Sequence, residues 1–255
     1  MTKKIAFINQ KGGTGKTTST ANIGAGLVRL KQKVLAVDLD PQANLTYHLG
    51  IKAGELKASI SELLEGRAGA EEAIVERAGL DVIPSTLALA DTEARIFNQS
   101  GREHLLKGAL AGLRRGYGYV LIDCPPSLGT LTLNALVASK EVFIPLEVQA
   151  LPLQGLRAIN KIVELVKERL NPGLEITGII ATKFDGRKNL NKEVLGTIKE
   201  HFGPLLFKTV IRDTVRLAEA PSYGQDIFTY APRSYGAEDY LNLCKEILYR
   251  EREGL

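Results

Sequence analysis

The sequence predicts an α/β fold, a predominantly parallel central sheet with helices on both faces, and three observations predict it. Short apolar runs alternate with longer stretches of helical periodicity, the pattern of strands covered on both sides by crossover helices. The first run leads directly into a glycine-rich segment, residues 9–18, with a helical pattern after it. Acidic side chains suited to chemistry stand just past the carboxyl ends of the runs, where ligands of such sheets bind.

The elements follow in order. A strand over 5–9 enters the glycine-rich loop, and a helix from about Thr17 carries Ile23, Leu27 and Leu30 on one stripe. A second strand over 34–37 closes on Asp38, Leu39, Asp40, Pro41 and Gln42, and a polar stretch separates it from a short helix near 59–64. Strand 80–83 precedes helices over 87–97 and 102–115. Strand 119–122 ends in Asp123, Cys124, Pro125 and Pro126, and helix 130–138 leads on to strand 142–146. The alternation continues through helix 153–169, strand 176–181, helix 190–201, strand 207–211 and a last helix over 236–249.

At 255 residues and 44% hydrophobic, the chain can bury a sizeable core. Glycine and proline are spread along it rather than pooled in a linker, so one domain over 1–255 is expected. No apolar span is long enough for a bilayer, and the apolar run at Ile5 leaves no room ahead of it for a signal peptide. Cys124 and Cys244 make no metal-ligand spacing, and a reduced cytoplasmic protein is expected. The net charge of +4, from 33 Lys and Arg against 29 Asp and Glu, is compatible with nucleic-acid contact without requiring it. Lys183, Arg187, Lys188, Lys192, Lys208, Arg212, Arg216 and Arg233 collect in the last third with few neighbouring acids.

The glycine-rich segment carries the chemistry. Gly12, Gly13 and Gly15 permit tight turns that aim backbone N–H groups at phosphate oxygens, with Thr14 between them. The next helix adds its unpaired N–H groups and positive dipole end. Lys16 is placed to reach the β and γ phosphates, Thr17 to ligate Mg²⁺, and Thr18 to support the α-phosphate side. Gly15, Lys16 and Thr17 fit the end of an ordinary phosphate loop, but position 10 is Gln and Lys11 stands early. A second lysine is more than nucleotide binding requires. It can act in its own subunit or point toward a facing site, which would make ATP the glue of a dimer and hydrolysis its release.

Three acids complete the expected site. Asp123 follows a buried strand, where phosphate-loop enzymes hold magnesium. Asp38 is a candidate for the metal shell or for a loop anchor. Asp40, farther out and stiffened by Pro41, is the candidate for orienting the attacking water.

Together these features resemble the ParA/MinD family of deviant Walker A P-loop ATPases, most closely its short chromosome-partitioning ParA members. The likeness runs from Lys4 to about Ile247. It is carried by KGGTGKTT from Lys11, VLAVDLDPQANLT from Val34, VLIDCPPSLGTLTLNAL from Val120, TKFDGRKNL from Thr182, VRLAEAPSYG from Val215 and PRSYGAEDYLNL from Pro232. The resemblance implies a P-loop NTPase fold, an ATPase that cycles between ATP and ADP with Mg²⁺, and no N-terminal helix-turn-helix domain. It implies that Lys11 contacts nucleotide across an ATP-sandwich homodimer and that Gly12 must stay small for the subunits to close. It makes Asp40 the acid whose loss blocks hydrolysis, and Asp123 the second magnesium-side acid. Adenine contacts are implied around 182–185 and 211–213.

The resemblance further implies that the dimer binds double-stranded DNA without sequence preference through Arg187 and Arg216, by salt-sensitive phosphate contacts. A ParB-like centromere-binding partner would stimulate hydrolysis, and the protein would be cytoplasmic and nucleoid-associated with no stable membrane association. Two positions depart from the family pattern: Arg212-Asp213-Thr214 replaces Pro-Arg-Asn, and Tyr235 replaces an arginine, with Arg212 a candidate replacement for the missing charge. A MinD-like or flagellar-type membrane-positioning ATPase shares the nucleotide site, but the mixed-charge end 249–255 lacks the apolar mass of a membrane helix. An iron–sulfur reductase would need differently placed cysteines, and a metabolic ligase of the same fold would need its own substrate groups.

Overall fold

The computed structural model describes residues 2–148 and 152–253. Strands β1 (Lys3–Phe7), β2 (Val34–Asp38), β3 (Val75–Arg77), β4 (Leu80–Ile83), β5 (Tyr119–Asp123), β6 (Glu141–Glu147) and β7 (Glu175–Thr182) form one seven-stranded sheet in the order β3-β4-β2-β5-β1-β6-β7. Every neighbouring pair is parallel except β3–β4, an antiparallel hairpin at one edge. The α/β expectation therefore holds.

Side-chain alternation along the strands divides the core into two layers. Ala6, Leu35, Val37, Val120 and Ile122 face one layer, and Ile5, Phe7, Val34, Ala36, Tyr119 and Leu121 the other. Both layers are covered by helices, which is why β2 and β5 are buried at every position. On the second side lie the long helices Lys16–Arg29 and Tyr235–Glu253, which pack against each other. On the first lie Thr130–Ala138 and Pro152–Arg169.

One expected strand is not a strand. Residues 207–211 run beside β7 and exchange backbone hydrogen bonds at both ends, Phe207 N with Ile179 O at 3.0 Å and Ile211 N with Ala181 O at 2.8 Å. Between those points the Glu246 carboxylate accepts the N–H groups of Lys208 at 2.8 Å and Thr209 at 2.9 Å, diverting them from any ladder. The expected helix over 102–115 is also shorter, a single turn at Arg102–His104 followed by Leu105–Ala111.

Three short helices form without a sequence expectation, Asn44–His48, Val215–Glu219 and Ile227–Tyr230, and the last packs against the helix Lys16–Arg29. The edge strand β3 is also unforeseen; its hairpin turns at the amino end of β4, at Ala78 (φ 50°) and Gly79 (φ 83°), the paired positive φ of a tight hairpin.

Candidate nucleotide site

The register of the parallel strands sets Asp38 of β2 directly opposite Asp123 of β5, and Phe7 of β1 opposite Asp123 on its other side. The loop after β1 therefore lies over the carboxylate that ends β5. The Thr17 hydroxyl donates to Asp123 Oδ2 at 2.7 Å, and Thr20 Oγ1 lies 3.4 Å from Oδ1. Both carboxylates are fully buried. Burial, then the neighbouring Asp38 charge, holds the Asp123 carboxyl well above the usual carboxylate range. Burial also pushes Asp38 up to about 6, against the Thr46 hydrogen bonds that favour its charged form. Burial pulls the Lys16 ammonium down, and Asp123 offsets part of that effect.

The loop is shaped by its own polar groups. Gly13 (φ 74°) and Gly15 (φ 87°) occupy the left-handed region, which the turn requires. Asn9 Nδ2 donates to Pro145 O at 2.8 Å, and its Oδ1 accepts the Lys11 N–H at 3.1 Å. From the other side Thr182 Oγ1 donates to Thr14 O at 2.8 Å. The loop is thus clasped between the ends of β6 and β7.

A cavity of about 500 Å³ opens beside it, lined by Gly12, Gly13, Gly15, Lys16, Thr17 and Thr18 on one side and by Asp40 and Pro126 nearby. Its other wall is formed by Ile211, Leu217, Ala218 and Pro221, with Thr182, Lys183, Asp213, Tyr47 and His48 also lining it. The expected groups near 182–185 and 211–213 are therefore brought to the same cavity as the loop. A polar end and a largely apolar wall suit a phosphorylated nucleoside.

Asp38 and Asp40 do different work. Asp38 Oδ2 accepts both the Thr46 N–H at 2.9 Å and the Thr46 hydroxyl at 2.7 Å, while Oδ1 accepts the Asp40 N–H at 3.2 Å. This geometry is that of a loop anchor. Thr46 Oγ1 in turn accepts the Ser85 N–H at 2.8 Å, and Ser85 Oγ donates to Asp40 O at 2.8 Å. Asp40 is held at the cavity by this network and by its Oδ1 accepting the Gln42 N–H at 2.9 Å. Thr46 and Ser85 have no signal in the sequence beyond lying past strand ends.

Lys11 and Lys16 point to different surroundings. Lys16 is buried at 7% exposure, whereas the Lys11 side chain is 62% exposed with Nζ 3.2 Å from Glu147 Oε2. The same carboxylate holds Lys183 Nζ at 3.5 Å through Oε1. Glu147 went unread in the sequence, although its place at the end of a strand was a usable signal. A side chain built at Gly12 would meet open space, so nothing among the described residues requires glycine there.

The basic residues of the last third are less free than their sequence neighbourhood implied. Acids two or three residues away along the chain pair with them: Asp185 with Arg187 at 2.9 Å and with Lys188 at 3.9 Å, and Glu219 with Arg216 at 2.9 Å. Arg187 and Arg216 remain exposed, at 91% and 59% of their side chains. Arg212 does not replace a missing surface charge. Its guanidinium is bound by the buried Asp239 and by Glu238 and stacks 4.1 Å from the centre of the Tyr235 ring.

The donor set at Thr17 and Asp123, a hydroxyl and a carboxylate, consists of hard oxygens that fit Mg²⁺, which is usually held by few protein ligands together with phosphates and water. Among the described residues no cluster of three or more His, Cys, Asp or Glu is arranged to cage a metal.

Comparison with known proteins agrees with this geometry. The family model described as an AAA domain matches residues 2–176. The sporulation initiation inhibitor protein Soj of Bacillus subtilis is 45% identical over 249 residues, covering 97% of this chain and 98% of its own length. The chromosome partitioning protein ParA of Caulobacter vibrioides is 40% identical, covering 98% and 95% respectively. Among solved structures, cobyrinic acid a,c-diamide synthase from Mycobacterium smegmatis with bound ADP and magnesium superposes with a TM-score of 0.88. It is 34% identical, and the match covers 100% of this chain and 97% of that one.

Proposed function

The chain belongs to the ParA/MinD family of deviant Walker A ATPases, and from that premise we propose that it is a DNA-partition switch driven by Mg-ATP. ATP hydrolysis is the family activity, and the fold supplies a site for it. The observation that carries the finer reading is the division between the two loop lysines. Lys16 lies buried inside the cavity, and Lys11 stands exposed at its mouth.

Within one chain, the N–H groups of residues 12–18 and the Lys16 ammonium bind and orient the phosphates, concentrating positive charge where it develops on transfer. Thr17 and Asp123 would hold Mg²⁺, which when bound supplies charge compensation at the phosphate oxygens. Asp38 anchors the loop that carries Asp40. Asp40, pinned by Gln42 and Ser85, orients the attacking water. Lys11 serves the nucleotide of a second copy, so ATP closes a homodimer and hydrolysis opens it.

The closed dimer binds double-stranded DNA through exposed Arg187 and Arg216, without sequence preference. A ParB-like centromere-binding protein stimulates hydrolysis and so releases it. The chain acts as one ATPase domain, in the cytoplasm and on the nucleoid. The partition relatives are the more similar in sequence and match nearly end to end, which favours this reading over a ligase activity. Among the described residues no helix is long and apolar enough to cross a membrane. The terminal helix is bound to the sheet through Glu251, which bonds Tyr119 and Lys3.

The test is binding to a random-sequence duplex with Mg-ATP and with ADP, using Asp40→Ala to hold the ATP state and Arg216→Glu as the surface control. Salt-sensitive binding with ATP alone, weakened in the Arg216 variant, is expected. ATP-dependent dimers that ignore DNA would overturn the partition reading and turn attention to membranes or protein cargo.

A further inference from the structure

His48 ends the short helix Asn44–His48 and lines the nucleotide cavity. It is 2% exposed, and its Nε2 has no hydrogen-bond partner among the described residues. Buried polar atoms are nearly always paired, so this one marks a place where a partner is missing. None of the steps above uses it.

The surroundings of the ring say what kind of partner it lacks. Burial holds the imidazole neutral, with its pKa pushed down to about 4 despite the nearby Asp226 charge and a hydrogen bond with the Gln225 backbone. Asp226 is itself engaged in capping the helix Ile227–Tyr230 through the N–H groups of Phe228 and Thr229. A neutral imidazole has one N–H and one lone pair. With the backbone contact using one nitrogen, Nε2 is left as an acceptor in need of a donor.

Position narrows the donor further. The helix Asn44–His48 packs against both the helix Lys16–Arg29 and the turn Ala220–Tyr223. Gly50, just past the helix Asn44–His48, and Gly224, just past that turn, are in close backbone approach, since a side chain on Gly50 would come within 2.9 Å of Gly224 O. His48 therefore lines the same cavity as Pro221 of the apolar wall, while the loop residues take the phosphates. That wall suits the base and sugar.

We propose that His48 is a specificity-determining residue of this site, its Nε2 accepting a hydrogen bond from the nucleoside half of the nucleotide, either a ribose hydroxyl or the adenine amine. A site built around such a bond rejects analogues that lack the donor, because the acceptor is then left buried and unpaired. The inference rests on the reading of the cavity as an ATP site.

The test is equilibrium binding of ATP, 2′-deoxy-ATP, 3′-deoxy-ATP and inosine triphosphate to the wild-type chain, His48→Phe and His48→Gln, with folding checked by thermal melting. In the wild type at least one analogue is expected to bind about tenfold or more weaker than ATP. In His48→Phe that ratio falls to about one, and His48→Gln, which restores an acceptor, recovers part of it. The analogue affected identifies the donor: either deoxynucleotide points to the sugar, inosine triphosphate to the base. Should His48→Phe fail to fold, His48→Leu takes its place. Equal discrimination in wild type and variant, or none in the wild type, overturns the proposal. Failure of the wild type to bind ATP at all would instead remove the nucleotide reading beneath it.

Discussion

Glu147 Oε2 lies 3.2 Å from Lys11 Nζ, so the exposed lysine of the phosphate loop is held against the end of β6. Through its other oxygen the same carboxylate holds Lys183, whose backbone adopts φ 54° beside the phosphate loop. One acid thus pairs with two cations at the mouth of the site, leaving a net positive charge there. Glu147→Gln should leave the fold intact and free Lys11 for a second copy. Because Lys11 is 62% exposed, the pair is a weak tether, worth roughly 0.2–1 kcal/mol, or up to about fivefold in affinity. Sedimentation with Mg-ATP should show the dimer forming at correspondingly lower protein concentration, and unchanged association would assign Glu147 to local packing alone.

Gly12→Val separates folding from assembly. The open space around Gly12 predicts a melting temperature close to wild type and retained ATP binding. ATP-dependent dimerisation should be lost, because in the proposed sandwich dimer the side chain would project where the facing subunit approaches. Melting curves and light scattering on the same samples check both halves.

Asp40→Ala should lower the ATP turnover rate by about 100-fold or more while leaving nucleotide binding within a few fold, as expected for loss of a water-orienting group. Phosphate release and fluorescent-nucleotide titration read the two quantities. A parallel loss of binding would place Asp40 in ground-state contact with the ligand.

Gly224→Ala tests the crossing that holds the cavity wall. Gly224 has φ 65°, and a Cβ there would lie 2.7 Å from Gly50 Cα. Left-handed strain and overpacking together should cost about 2–4 kcal/mol, read from urea unfolding.

His48 also predicts a pH dependence of stability. Its pKa falls from 6.5 to about 4 on folding, so between those values the unfolded chain binds the extra proton. Stability should fall as pH drops through 6.5 and stop falling on this account below about 4, a total of roughly 3 kcal/mol. Urea midpoints at pH 7 and pH 4.5 should differ less in His48→Phe than in the wild type, and equal shifts would show that other groups carry the dependence.

The sequence by itself determined what local pattern encodes. Apolar periodicity marked six of the seven strands and the longer helices, and glycine spacing marked a phosphate loop between the first strand and helix. The missed strand, Val75–Arg77, is three residues long and carries two charges, so it offers no periodicity to read. Tertiary structure alone decided the partners. Strand order set Asp38 beside Asp123, and Glu246, far along the chain, took the N–H groups that would have extended a strand through Lys208 and Thr209. Glu147 reached back 136 residues to Lys11, and Asp239 bound an arginine that the linear sequence left as a candidate surface charge. The physical reason is range. Backbone conformation answers to neighbours within a few positions, whereas charges and hydrogen-bond donors are satisfied by whatever group the fold brings close.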